Sequence, residues 1–283
     1  MADTSRISPT AHYTGYVWHR HGLSHPALRT RTGAVLYNTL QPLLRGYHRM
    51  TGHTTLEMFL LRRHKVIDHL LEQAITSGAV TQVIEIAAGL SPRGLRFMQR
   101  FGATGLRYIE GDLPDMAATK RARLDAKNLR GSNHHVVTLN ALLDEGPESL
   151  AGVATKLCDP GQGVAILTEG LVNYFDRQRT EAMWTRFARF SRDYPDSVYL
   201  SDLHVHDEAM KVPIARAFQG ALSAFARGSV HFHYRTPTEA TRALHSVGFG
   251  SVSLHQPEVF STVLTLPDAG VEQDIVRIVE ARP

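Results

Sequence analysis

The sequence predicts an α/β protein: a mostly parallel sheet of seven strands, helices on both faces, and an N-terminal helical segment acting as lid or cap. Three observations predict it. From Gly78 onward short apolar runs alternate with helix-periodic stretches, the pattern of strand–helix–strand crossovers. The 283 residues suffice for one large core, and 43% hydrophobic with 20% charged residues is an ordinary globular balance. Glycine and proline punctuate the boundaries between runs.

The elements follow in order. Residues Met1 to about Thr54 read as irregular and partly helical. Their aromatics and histidines (Tyr13, Tyr16, Trp18, His19, His21, Tyr37, Tyr47, His48) argue for packing rather than disorder. This gives two units, residues 1–54 as cap or lid and 55–283 as the main domain. Leu56–Ala74 is helix-periodic. Strands are expected at Val83–Ala87, Arg107–Glu110, His135–Leu139, Val164–Thr168 and Val198–Leu203. Helices are expected at Arg93–Phe101, Pro114–Leu129, Glu148–Leu157, from the Asp176 cap to Phe190, at Asp207–Ala226, and at Thr236–Val247. Ser251–Leu254 and Ile275–Val279 close the chain as strands, with too little between them for a crossover helix, so an antiparallel pair is expected.

Charge and composition exclude several classes. Lys and Arg number 31 against 27 Asp and Glu, a net +4 with 16 His beside it. No Lys/Arg block stands out, so no nucleic-acid arm is expected. Cys158 is the one cysteine, which excludes an internal disulfide or a Cys-based zinc site and suits a reducing compartment. The first thirty residues lack an apolar h-region, and no run approaches ~18 apolar residues. A cytoplasmic protein without a membrane span is expected; a homo-oligomer stays open.

In such a sheet ligands bind beyond the carboxyl ends of the strands. Those ends are Glu85–Gly89, Glu110–Asp112, Asn140, Thr168–Glu169 and Asp202–His206. The run Val83-Ile84-Glu85-Ile86-Ala87-Ala88-Gly89 ends in small residues that let a ligand approach the backbone. It lacks the three glycines of a dinucleotide turn and the Gly-Lys-Ser/Thr of a P-loop, so it suits a nucleoside without a pyrophosphate, or merely a tight turn. Asp112 stands where an acid accepts from ribose hydroxyls, or caps the helix opened by Pro114. Arg63 falls near the middle of the apolar stripe Leu56, Phe59, Leu60, Val66, Ile67, Leu70, Leu71 and Ala74, whereas Arg62, His64, Lys65, Asp68 and His69 fall outside it. A buried guanidinium cannot deprotonate and must meet an anion. That anion is an internal acid or a ligand carboxylate, which Arg93 could also grip. Glu169, after the fourth strand, suits a cationic ligand centre or an amine, or a salt bridge to a nearby Arg.

EIAAGLSPRGLRF, YIEGDLP and LTEGLVNYF occur in that order. Together they resemble the leucine carboxyl methyltransferase family, which includes tetracenomycin-type polyketide carboxyl methyltransferases, over roughly Leu56 to Phe175. The resemblance implies a Rossmann-like class I fold, S-adenosylmethionine as cofactor and a small-molecule acceptor. It implies that Arg63 binds the methionyl carboxylate, that Ala87 and Gly89 form the glycine-rich turn, and that Asp112 binds ribose. Asn140 and Ala141 fall where the family has Asp-Leu beside the adenine, and Glu169 matches the Glu-Gly motif near the methionyl amine. Ala87 stands for the usual Gly, Ser91-Pro92-Arg93 for Asp-Thr-Arg, and Asn140 for Asp. Glu85 and Arg93 flank the same turn and join the candidate cofactor set.

The implied chemistry is methyl transfer, most readily to a carboxylate or hydroxyl oxygen and alternatively to N or S. A retained nucleoside-binding module without catalysis is a rival, and an NAD-dependent oxidoreductase a weaker one. A carboxylate with pKa near ~4 is ionised at pH 7 and needs no base. If a base is needed, His204, His206 and Asp202 are the candidates. The His-x-His pairs 204/206 and 231/233 and the doublet His134-His135 lack further ligands in sequence, so no metal is assigned. Tyr16 and Trp18 would exclude water, Arg20 would orient an anionic substrate, and Tyr174 is a further substrate-side candidate.

Overall fold

The computed structural model describes residues 9–209, 231–268 and 276–283. Helices α1 (Pro9–Arg20), α2 (Arg31–Thr51) and α3 (Leu56–Thr76) precede the sheet. Strands and helices then alternate: β1 (Gln82–Ile86), α4 (Arg93–Phe101), β2 (Arg107–Asp112), α5 (Pro114–Asp125), β3 (His134–Thr138), α6 (Leu150–Leu157), β4 (Val164–Thr168), α7 (Arg177–Ser191) and β5 (Val198–His204). A short α8 (His206–Ala209), then α9 (Pro237–Ser246), β6 (Ser251–His255) and β7 (Val276–Arg282) complete the described elements.

The seven strands form one sheet in the order β3-β2-β1-β4-β5-β7-β6. β1 through β5 are parallel, and β7 runs antiparallel to both β5 and β6. The expected antiparallel closing pair is therefore present. Strand order reverses between β1 and β4, which opens a crevice at their carboxyl ends.

Strand alternation divides the core. Val83, Tyr108, Ala165, Leu167 and Leu200 face α3 and α4. Ile84, Ile86, Ile109, Ile166 and Tyr199 face the opposite way, toward α6, α7 and α9. Val66, Ile67 and Leu71 of α3 are wholly buried on the first face, each contributing about 1.5–3 kcal/mol.

Three expectations need correction. The N-terminal segment is regular helix, not irregular. Thr30 caps α2 by accepting from Gly33 N, and Gly52 at φ 71 ends it. Tyr13, Tyr16, Val17 and Tyr37 then fill a joint core with Leu60 and Leu61 of α3, so burial overrides weak helix propensity. Second, α3 is not exposed on its polar side: Arg62, His64 and Asp68 are buried, Arg62 by the 257–268 stretch, His64 by Trp18 of α1 and Asp68 by Arg93 and Arg96 of α4. Arg62 donates to Pro267 O and Glu258 Oε2, each at 2.6 Å. Third, β2 runs on to Asp112, which is the last residue of the strand and not beyond it. The helix expected at Asp207–Ala226 lies outside the described residues beyond Ala209, as does Ile275 of the last strand. Among the described residues no helix is long and apolar enough to cross a membrane.

Candidate cofactor and active site

The turn after β1 is shaped by two left-handed residues, Ala87 at φ 55 and Gly89 at φ 48. Gly tolerates that region freely, whereas Ala is strained there by about 1–2 kcal/mol. Ala88 N donates to Gly111 O, and Gly89 N donates to Asp112 Oδ2 at 2.7 Å. Asp112 Oδ1 accepts from Leu113 N at 2.7 Å. Asp112 thus ties β2 to the β1 turn and steadies the backbone at Leu113, while α5 starts at Pro114 without a side-chain cap, so the capping alternative falls away. Burial raises its pKa, and the two backbone bonds oppose the rise.

Helix α1 lies across this turn. A Cβ placed on Gly89 would sit 3.9 Å from Ala11 Cβ, and one on Gly15 would sit 3.3 Å from Leu90 Cβ. Trp18 packs against His64 with ring centroids 4.7 Å apart and the planes tilted by 40°. Tyr16 instead packs against Tyr37 at 5.3 Å, with the Arg29 guanidinium 5.6 Å from its ring. Arg20 is exposed and lies near Tyr37, whose hydroxyl donates to Glu57 Oε1 at 2.8 Å. Trp18 therefore reaches the polar centre below α1, while Tyr16 and Arg20 hold the N-terminal helices together.

That polar centre joins α3, α4 and three strand ends. Arg63 donates through Nε to Glu169 Oε1 at 3.0 Å and through Nη1 to Asp202 Oδ2 at 2.8 Å. Its anions are thus internal acids, and both stand at the carboxyl ends of β4 and β5. Asp202 Oδ1 also accepts from Gly170 N at 2.6 Å. Arg93, wholly buried, donates to Asp68 at 2.5 Å, Glu85 at 2.7 Å and Glu169 at 2.6 Å. Glu85 takes a second bond from Tyr108 OH at 2.8 Å, and Asp68 from Arg96 at 2.7 Å. Burial by itself would raise Glu169; His64, Arg93 and Arg63 overcome it and hold the carboxyl well below its ordinary range. Arg93 and Glu85 therefore support the site from beneath, whereas Arg63 and Glu169 edge the crevice.

On the β3 side, Asn140 Oδ1 accepts from Leu142 N at 3.0 Å, and Ala141 is buried beside it. On the β5 side, His204 Nδ1 lies 3.1 Å from Asn173 Oδ1. Burial lowers its pKa to about 4, Asp202 opposing and Arg63 adding to the drop. His206 is exposed and bonds Asp207 at 3.0 Å. Tyr174 is partly buried and bonds to Thr10 of α1, with Arg63 and Asp202 close enough to shift its hydroxyl. Among the described residues no group of three or more His, Cys, Asp or Glu is placed to hold a metal.

Sequence reasoning missed His64, Asp68, Arg96 and Asn173. His64 and Asp68 looked solvated on the α3 projection, and Arg96, though inside EIAAGLSPRGLRF, was given no role there. Asn173 lay within the LTEGLVNYF run, and an amide after a strand at the cleft is the only signal it gave.

The family model for leucine carboxyl methyltransferase matches residues 30–188, more than half of the chain. No curated protein matches by sequence. Among solved structures, a duf574 family protein from Streptomyces avermitilis MA-4680 is similar at 12% identity and TM-score 0.61, over 99% of this chain and 99% of that one. An O-methyltransferase family protein from Burkholderia thailandensis is similar at 15% identity and TM-score 0.53, over 100% and 73%. The chain spans about half of PigF (50% of that chain, 72% of this one, 12% identity, TM-score 0.47). The structural likenesses carry the fold, and the family model carries the chemistry: the chain belongs to the leucine carboxyl methyltransferase family, methyltransferases that use S-adenosylmethionine.

Proposed function

We propose that the chain moves a methyl group to the carboxylate or hydroxyl oxygen of a small molecule, as a cytoplasmic enzyme of small-molecule metabolism. The observation that carries the proposal is the convergence at the β1/β4 switch point. The Asp112–Gly89 bond stands on one side of the crevice and the Arg63–Glu169–Asp202 cluster on the other.

The residues fit the cofactor. The β1 turn has positive φ at Ala87 and Gly89, which turns the backbone toward a close ligand. Asp112 keeps acceptor capacity for ribose hydroxyls beyond its two backbone bonds, since a carboxylate offers about four lone-pair sites. Asn140 and Ala141 would lie beside the adenine. Arg63 would take the methionyl carboxylate through Nη2, the nitrogen not engaged with Glu169 or Asp202, and Glu169 would face the amine. When bound, the cofactor supplies an electrophilic methyl on a sulfonium sulfur.

The chain's own part in the reaction is binding, aim and exclusion of water. The N-terminal segment would be the lid, its described part laying α1 over the β1 turn and Trp18 against His64. A carboxylate acceptor arrives ionised, so desolvation and alignment at ~3–3.5 Å suffice. Residues 55–283 hold the site.

Isothermal titration with S-adenosylhomocysteine and with NAD tests the cofactor, and binding of NAD alone would refute the proposal. A labelled-methyl assay over carboxylic acids, phenols, amines and thiols then tests the acceptor atom. Transfer confined to amines or thiols would refute the oxygen assignment.

A further inference from the structure

We infer that His204 selects a hydroxyl-bearing acceptor and takes its proton, with Asn173 locking the imidazole so that the lone pair sits on Nε2. The inference rests on the methyltransferase reading above and deepens it.

The lock follows from bonding order. Asn173 Nδ2 donates to His231 O at 2.6 Å, and His231 N donates to Asn173 O at 2.9 Å. The first bond fixes which end of the side-chain amide is nitrogen, and the second, between the two backbones, holds the segments together. Asn173 Oδ1 is therefore an acceptor, and His204 Nδ1, 3.1 Å away, is its donor. A neutral imidazole with its hydrogen on Nδ1 carries its lone pair on Nε2. Nε2 has no hydrogen-bond partner among the described residues. The ring is steadied by Phe232 at 5.9 Å.

Position follows from strand alternation. Asp202 and His204 are two apart on β5 and share a face. Asp202 grips Arg63 on that face, so His204, the last residue of β5, stands one step farther toward the carboxyl end of the strand, where the acceptor would sit in this reading. The charged groups acting on it are Asp202 from its own strand and Arg63 from α3. Burial keeps the ring neutral at pH 7.

A neutral ring with a lone pair accepts from an O–H donor. A carboxylate has no hydrogen to give and meets that lone pair unfavourably. As the acceptor oxygen forms its bond to the methyl carbon, the carbon–sulfur bond breaks and its electron pair stays on sulfur, leaving a neutral thioether. The oxygen becomes strongly acidic, and its proton passes to Nε2. The products are a methyl ether or enol ether, the thioether, and an imidazolium that later loses the proton to water.

Nitrogen-15 NMR of the histidine rings in the full chain at pH 7 tests the lock, with His204 assigned by its loss in His204→Phe. Nδ1–H with a bare Nε2 supports it; Nε2–H overturns it and leaves the methyltransferase reading intact. Asn173→Ala should shift the ring toward mixed tautomers, and an unmoved signal overturns the role of Asn173. A labelled-methyl assay with small phenols and with carboxylic acids lacking hydroxyls tests the selection. His204→Phe should lower transfer to phenols about 100-fold while S-adenosylhomocysteine binds within about twofold. Transfer to the carboxylic acids alone, or phenol transfer unchanged in the variant, overturns the inference. Failure of the unaltered chain to bind S-adenosylhomocysteine removes the parent reading and this one together.

Discussion

Replacing Arg93 by Met should destabilise the chain by about 3–5 kcal/mol. Arg93 is wholly buried and holds Asp68, Glu85 and Glu169. Removing one partner of a buried ion pair costs about 3–5 kcal/mol, because the other charge stays uncompensated. Three such losses do not add here. Glu85 keeps Tyr108, Asp68 keeps Arg96, and Glu169 keeps Arg63 and His64. The cost therefore stays near that of one broken pair, a large share of the ~5–15 kcal/mol that holds a domain folded. Urea unfolding followed by circular dichroism measures it, with Arg100→Met as control. Arg100 pairs with Glu72 on the surface, its side chain 61% exposed, and should cost no more than about 1 kcal/mol. A loss below about 1 kcal/mol for Arg93→Met, or equal losses in the two variants, would refute the claim that the guanidinium neutralises the floor of the crevice.

Three further outcomes follow from the same geometry. Ala87→Gly removes left-handed strain at φ 55 worth about 1–2 kcal/mol, against about 0.4–1 kcal/mol of added unfolded-chain entropy; the midpoint of urea unfolding should rise slightly, and a clear fall would show that the methyl group packs. Gly170→Ala places a Cβ 2.9 Å from Arg63 Nη2 at φ +67, so S-adenosylhomocysteine titration should show affinity reduced at least about tenfold; unchanged affinity would release Arg63 from the site. Glu169, Asp68 and Glu110 all have pKa values held below the ordinary range in the folded chain, by the cations around them and against the pull of burial. Their stabilisation is full above the unfolded values of about 4 and is lost as pH falls through the folded ones, so unfolding free energy should decline below about pH 4, and a decline beginning above pH 6 would point to other groups.

Most of the sheet was legible because its signals are local. Val164–Thr168 is a five-residue apolar run between glycines, and it is the central strand β4 at those bounds. Asp176 is the cap of α7, accepting from Arg179 N. The N-terminal segment was legible as helical in part and packed, but the regularity of α1 and α2 was not, since Tyr13, Tyr16 and Tyr37 hold their helical state by meeting Leu60 and Leu61. The polar side of α3 misled for the same reason. A projection assumes water on one side of a helix, and here α1, α4 and the 257–268 stretch take water's place, so that Arg62, His64 and Asp68 are buried.

The site shows the same limit in its charges. Arg63 could be assigned an anion from sequence, because a guanidinium in an apolar stripe must have one. Which anion could not be read, because Glu169 is 106 residues away and Asp202 is 139. The two alternatives for Arg63, an internal acid or a ligand carboxylate, do not in fact exclude each other. A guanidinium carries five N–H donors in a fork. Nε serves Glu169 and Nη1 serves Asp202, which aims Nη2 past Gly170. The internal acids remove Arg63's freedom to turn, and a fixed fork loses less entropy when it meets a carboxylate than a mobile one. Asp202 would then matter to a ligand mainly through the guanidinium it holds still, whereas Glu169 would do so both through that guanidinium and by facing the amine itself.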